Sequence, residues 1–176
     1  STWNTSNVTD MEDLFKGRGS FDEDISHWDV SKVTNMHDMF QGTSFNKSIE
    51  TWDVSSVTDM SYMFADNSNF NQSLNNWDVS SVTKNRFMFR NCTSFNQPLN
   101  NWDVSSAMTD MVAMFWGANK FNANLFSVNS GNVLTNIMYM FKDASAFNQN
   151  LNHWHIDSSV NTENIFENSG GSATWA

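Results

Sequence analysis

The chain has one cysteine, Cys92, one proline, Pro98, and nine basic residues against nineteen acidic ones. A single cysteine excludes an intrachain disulfide, so the packed core must hold the fold in any redox compartment. The formal charge of −10 argues against nucleic acid or an anionic membrane surface as a partner. No apolar run is long enough to cross a bilayer. The seven glycines are scattered and form no phosphate-cradling loop. Among the four histidines, His27 and His37 lie far apart in the repeat. His153-x-His155 has no cysteine or carboxylate set at fixed spacing beside it. No histidine is consistently placed to activate Cys92 as a nucleophile. These absences point away from an enzyme, and neither cofactor nor metal is expected.

What the chain does have is an internal repeat. Trp28-Asp29-Val30-Ser31 recurs as Trp52-Asp53-Val54-Ser55, Trp77-Asp78-Val79-Ser80 and Trp102-Asp103-Val104-Ser105. A phenylalanine column runs through Phe15, Phe40, Phe64, Phe89, Phe115, Phe141 and Phe166. A second runs through Phe21, Phe45, Phe70, Phe95, Phe121 and Phe147, and both keep spacings of 24 to 26. Seven units cover nearly the whole of 1–176, with no linker or charge block between them, so one repeat domain is expected.

Periodicity suggests the local structure of a unit. Trp52 and Val54 alternate with Asp53 and Ser55, which predicts a short strand with Trp and Val on one face. Val57, Met60, Met63 and Phe64 fall on one face of a short helix or 3-10 turn, with Thr58 as its cap. Thr9 and Glu12 fit a capping box. Residues 65–69, Ala-Asp-Asn-Ser-Asn, read as a turn. The expected fold is an α/β repeat solenoid, leucine-rich-repeat-like, of about seven right-handed coils. Each coil would be a strand plus a short helix, and Trp, Val, Met and Phe would stack as the core.

Leu99-Asn-Asn-Trp102-Asp-Val104 has the L-x-x-L-x-L spacing, repeated by Leu74-Trp77-Val79 and Ile49-Trp52-Val54. The whole unit, with its phrase "NNWDVSS", resembles the Trp-containing repeats of BspA-like surface proteins. That resemblance implies an extracellular or cell-surface protein associated with adhesion or recognition, and it brings no catalytic residues. The pattern is broken at Asn85, where a Met is expected, and at Ala107-Met108. Phe126 and Ser127 replace Trp and Asp in one unit, and another reads Trp154-His155-Ile156-Asp157. Trp116 and Trp175 lie outside the Trp column. Drift toward the C-terminus is expected of a terminal repeat, and the abrupt start suggests part of a longer chain. The five N-x-S/T sites, at Asn4, Asn7, Asn46, Asn71 and Asn91, are what chance yields from 26 Asn and 37 Ser plus Thr, so they say nothing about glycosylation.

If Trp and Val face inward, Asn4, Asp29, Asp53, Asp78, Asp103, Ser127 and His155 form the exposed column between them. Three roles compete for its carboxylates: bonding the following Ser-Ser turn, holding a cation such as Ca²⁺, or forming an acidic stripe for a ligand. Thr51, Asn76 and Asn101 flank the column on one side, and Ser55, Ser80 and Ser105 on the other. The expected function is a non-catalytic, cell-surface or secreted recognition module that binds a protein or glycan through this face. The alternative is a structural subunit that stacks on copies of itself, or within a larger assembly, as a fibre, appendage or surface layer. A second polar column, Asp22, Asn46, Asn71, Asn96, Asn122 and Asn148, suggests an amide ladder that satisfies loop backbone groups. Asn96→Leu should therefore lower the melting temperature, and an unchanged melting curve would remove the ladder.

Overall fold

The computed structural model describes residues 3–175. Its backbone pairs at the period of the sequence. Single parallel bridges join Asp10 to Asn35, Asn35 to Asp59, Asp59 to Lys84, Lys84 to Asp110, Asp110 to Asn136, and Asn136 to Asn161. The chain is thus a stack of coils, numbered 1–7 here by those bridged residues.

The expected strands and helices are absent among the described residues: there is no helix, and the periodic bridges, at Asp59 and its equivalents, fall in the segment expected to be helical. The α/β reading is overturned, and the hydrogen bonds show why. In coil 3 the N–H groups of Met60, Tyr62, Phe64 and Asp66 donate to the carbonyls of Lys84, Arg86, Met88 and Arg90 in coil 4, at 3.1, 2.8, 3.0 and 2.7 Å. The intervening N–H groups of Met63, Ala65 and Asn67 donate back three residues, to Met60, Tyr62 and Phe64. Every second N–H reaches the next coil and the others close tight turns. A helix would need all of them aligned along its own axis.

Left-handed residues recur within this alternation. One column with positive φ is Asp13, Asp38, Tyr62, Phe87, Ala113, Tyr139 and Asn164. Four residues on, a second contains Gly17, Gly42, Asp66, Asn91, Gly117, Asp143 and Asn168. Two such residues per coil interrupt any helix. Thr58 accordingly caps nothing: its N–H and Oγ1 both donate to the carbonyl of Thr34, at 2.8 and 3.1 Å. The Thr34, Thr83, Thr109 and Thr135 side chains repeat that bond to the preceding coil. No capping box forms at Thr9 and Glu12 either: the Glu12 N–H bonds Asp10, and its carboxylate accepts from Asn35.

The Trp-Asp-Val segments are linked through side chains rather than as strands. Rings stack at the Trp position, with Trp102–Phe126 centroids at 6.4 Å and Phe126–Trp154 at 5.5 Å. Indole N–H groups make the link instead: Trp52, Trp77, Trp102 and Trp154 donate to Ile25, Ile49, Leu74 and Phe126 carbonyls at 3.3, 3.1, 2.9 and 3.1 Å. Phe126 keeps the column stacked where Trp is replaced. Trp175 continues the bonding pattern through Leu151, so its expected place outside the column is corrected.

The core is built from the residues the repeat suggests. Trp, Val, Met and Phe from successive coils are buried together, with the two Phe columns face to face. Phe64 and Phe70 lie 3.9 Å apart within a coil, and Phe64 and Phe89 lie 5.8 Å apart between coils. Asn85 breaks this pattern. It is fully buried in the Met column, and both side-chain polar atoms lack a hydrogen-bond partner. A buried unpaired amide costs about 1–3 kcal/mol. Asn85→Met should therefore raise the melting temperature, and a fall would mean that the amide has a partner, such as an internal water.

Candidate functional site

The predicted polar face exists, and its geometry selects among the three roles. Asp29, Asp53, Asp78 and Asp103 are exposed. In each, Oδ1 accepts the backbone N–H of the serine two residues on, at 3.1, 3.1, 3.0 and 2.9 Å. The hydroxyls of Ser31, Ser55, Ser80 and Ser105 donate to the same oxygen at 2.7, 2.6, 2.6 and 2.5 Å. Asn4 does the same with Ser6, at 3.1 and 2.7 Å. The column is therefore a set of Asx turns, which leaves Oδ2 of each aspartate free of these bonds. The serine hydroxyl first, and the backbone N–H second, hold Asp29, Asp78 and Asp103 below the ordinary carboxylate value. For Asp78, desolvation and then the like charge of Asp103 oppose this shift.

Several flanking residues converge. Asn76, Asp78, Asn101 and Asp103 share a shallow depression with Asn75, Trp77 and Val79. The Asn76 amide donates to Glu50 at 2.9 Å, and the Asn101 N–H donates to Asn75 at 3.0 Å. Thr51, Ser127 and His155 are exposed, and the His155 N–H bonds the Val128 carbonyl at 2.7 Å.

The second polar column forms a ladder, but not a buried one. The N–H groups of Asn46, Asn71, Asn96, Asn122 and Asn148 donate to the side-chain oxygen of the preceding member, at 2.8, 2.9, 2.9, 2.9 and 3.2 Å. Its residues are half-buried or exposed.

A further surface feature was missed in the sequence. His37, Tyr62, Phe87, Trp116 and Tyr139, one from each of five successive coils, form a partly exposed aromatic ribbon. Neighbouring centroids lie 5.6, 4.7, 6.4 and 6.0 Å apart. The Arg90 guanidinium sits over Tyr62 and Phe87 at 5.7 and 5.8 Å, and the Lys142 ammonium lies 5.1 Å from both Trp116 and Tyr139. The cations are paired in turn, Arg90 with Asp66 and Lys142 with Glu167. The Trp116 indole N–H donates to Asp143 at 2.9 Å. Tyr62, Phe87 and Tyr139 belong to the left-handed column, with φ of 59, 55 and 58°. The available sequence signal was the register: Tyr62, Phe87 and Tyr139 fall at equivalent positions, outside the Met and Phe columns that define the core.

A family model described as "Mycoplasma protein of unknown function, DUF285" matches the chain three times, over residues 1–93, 41–124 and 105–171. No curated protein and no solved structure matches it.

The carboxylate shifts carry a sign. A lowered folded-state value stabilises the fold above the ordinary aspartate value and is lost as pH falls through the lower one. Melting temperature should thus hold through neutral pH and begin to fall below about pH 4. The triple variant Asp29→Asn, Asp78→Asn, Asp103→Asn keeps the turn acceptor, as Asn4 shows. Thermal melts across pH should find its acid limb shallower than that of the parent, and an identical limb would sink the assignment.

Proposed function

We propose that this chain, which belongs to the DUF285 family of Mycoplasma proteins of unknown function, is a non-catalytic recognition module that binds a protein or glycan at a cell surface. The observation that carries this reading is the placement of Tyr62, Phe87 and Tyr139 at left-handed backbone positions on the surface. An L-residue held there costs about 1–2 kcal/mol, and Asp or Asn tolerates it best. The same column uses Asp13, Asp38 and Asn164 in other coils. Putting rings there gives up stability for side chains that the core does not enclose, which is how strain at a functional position presents itself. A line of partly exposed rings with cations over them suits stacking against sugar faces or a partner's side chains. Aromatic residues and Arg are the side chains most enriched at interface hot spots. The exposed Asp, Asn and Ser face adds polar groups for a rim. The resemblance of the repeated Trp phrase to BspA-like surface proteins supports the extracellular or cell-surface location.

A second reading, a structural subunit, draws on the edges of the stack. Among the described residues, the carbonyls of Asp10, Glu12, Leu14 and Lys16 accept no backbone bond, and the N–H groups of Thr162, Asn164, Phe166 and Asn168 donate none. The two edges match in register, so coil 7 of one copy could continue onto coil 1 of another.

The double variant Tyr62→Asn, Tyr139→Asn separates these readings. Recognition through the ribbon predicts an unchanged or higher melting temperature and at least ~10-fold weaker binding in a glycan or surface-protein screen. A lower melting temperature with binding intact would make the ribbon structural. Loss of binding only on changing Asp53, Asp78 and Asp103 to Ala would move the site to the polar face. Mass that grows with concentration in sedimentation would favour the subunit reading.

A further inference from the structure

We propose that Asp13, His37 and Asp38 form a binding site for a divalent first-row transition ion of the Zn²⁺ type. The three residues come from adjacent turns of coils 1 and 2, and one ligand atom from each lies within 4.8 Å of the others. Two buried atoms there have no hydrogen-bond partner, Oδ1 of Asp38 and Nδ1 of His37. Asp38 is nine-tenths buried, at 5% exposure, which is an unusual place for a carboxylate with an unused oxygen.

The arrangement around Nδ1 points to a shared cation. Nδ1 of His37 lies 3.0 Å from Oδ2 of Asp38, yet no hydrogen bond joins them. With Nδ1 unprotonated, the nitrogen and the carboxylate oxygen are close enough to share one cation. Lys16 supplies one such charge, its ammonium 2.7 Å from Asp38 and 3.0 Å from Asp13. That ammonium marks where a cation is held, and at 42% side-chain exposure Lys16 can swing into solvent. Two metal–ligand bonds of about 2.1 Å whose ends lie 3.0 Å apart subtend about 90°, so a tetrahedral ion needs the pair to open by about 0.4 Å. Asp13, with its side chain half-exposed, shares the Lys16 ammonium with Asp38 and joins the same centre when that ammonium is displaced.

The donor set decides the class of ion. One imidazole nitrogen with two carboxylates suits Zn²⁺ and its first-row neighbours, whereas Ca²⁺ takes oxygen alone. A shallow depression lined by Glu12, Asn35, His37 and Asp59, among others, lies beside the site. The site belongs to different side chains from the aspartate column first considered for a cation, whose Oδ1 atoms are committed to serine.

Titration calorimetry of the chelator-stripped chain with ZnCl₂ should find one equivalent bound, with CaCl₂ giving no comparable heat. His37→Gln and Asp38→Asn should each weaken Zn²⁺ binding more than ~10-fold. Lys16→Gln should strengthen it severalfold, because the competing ammonium is gone. His37→Gln changes a partly exposed side chain, and its circular dichroism separates loss of the site from loss of the fold. No binding by the parent chain overturns the proposal. So does binding that survives His37→Gln, or that is lost only when His153 and His155 are changed to Gln.

Discussion

Every coil of this molecule depends on one constraint: a left-handed residue recurs four positions after another. Around them, alternate N–H groups point along the stack and into the turn. That single device supplies both the local turns and the bonds between coils. It needs no regular helix or strand, and it satisfies most of the backbone of the 59–66 segment and its equivalents in the other inner coils. The second left-handed column uses Gly, Asp and Asn throughout, the residues that adopt this conformation at least cost.

Side chains complete the pairing elsewhere in each coil. Indole N–H groups and the Asn ladder bind the preceding coil through side chains, and threonine hydroxyls reinforce a backbone bond to the same carbonyl. The stack therefore has side-chain links as well as the backbone column, all at the same period. A buried polar group is acceptable in such a structure only when the neighbouring coil answers it. Asn85 is the member that goes unanswered in the Met column, and Asp38 keeps one oxygen unused.

Much of the core was legible in the sequence because burial repeats with the period. Trp77, Val79, Met60, Phe64 and Phe70 are all buried as the columns suggest. The Asp-to-Ser bonds and the Asn ladder were also readable, since both are local or strictly periodic. The helix was misread because Val57, Met60, Met63 and Phe64 match a helical face, yet the same spacing arises from tandem turns. The clue against a helix was the column Gly17, Gly42, Asp66, Asn91, Gly117, Asp143 and Asn168, which falls just after each Phe. The ribbon was hidden for a related reason. Trp116 looked like a departure from the Trp column, when it lies between Phe87 and Tyr139 in the ribbon.

The sequence by itself determined the period, the coil count and the identity of the core, because each is a repetition that can be counted along the chain. Only the tertiary structure decided the backbone's path and the neighbours of each surface group. Those depend on the direction of each peptide and on the offset between coils. The Tyr62–Phe87 stack joins residues 25 apart, and the Asp13, His37 and Asp38 cluster spans two coils. Each is set by how one turn rests on the next.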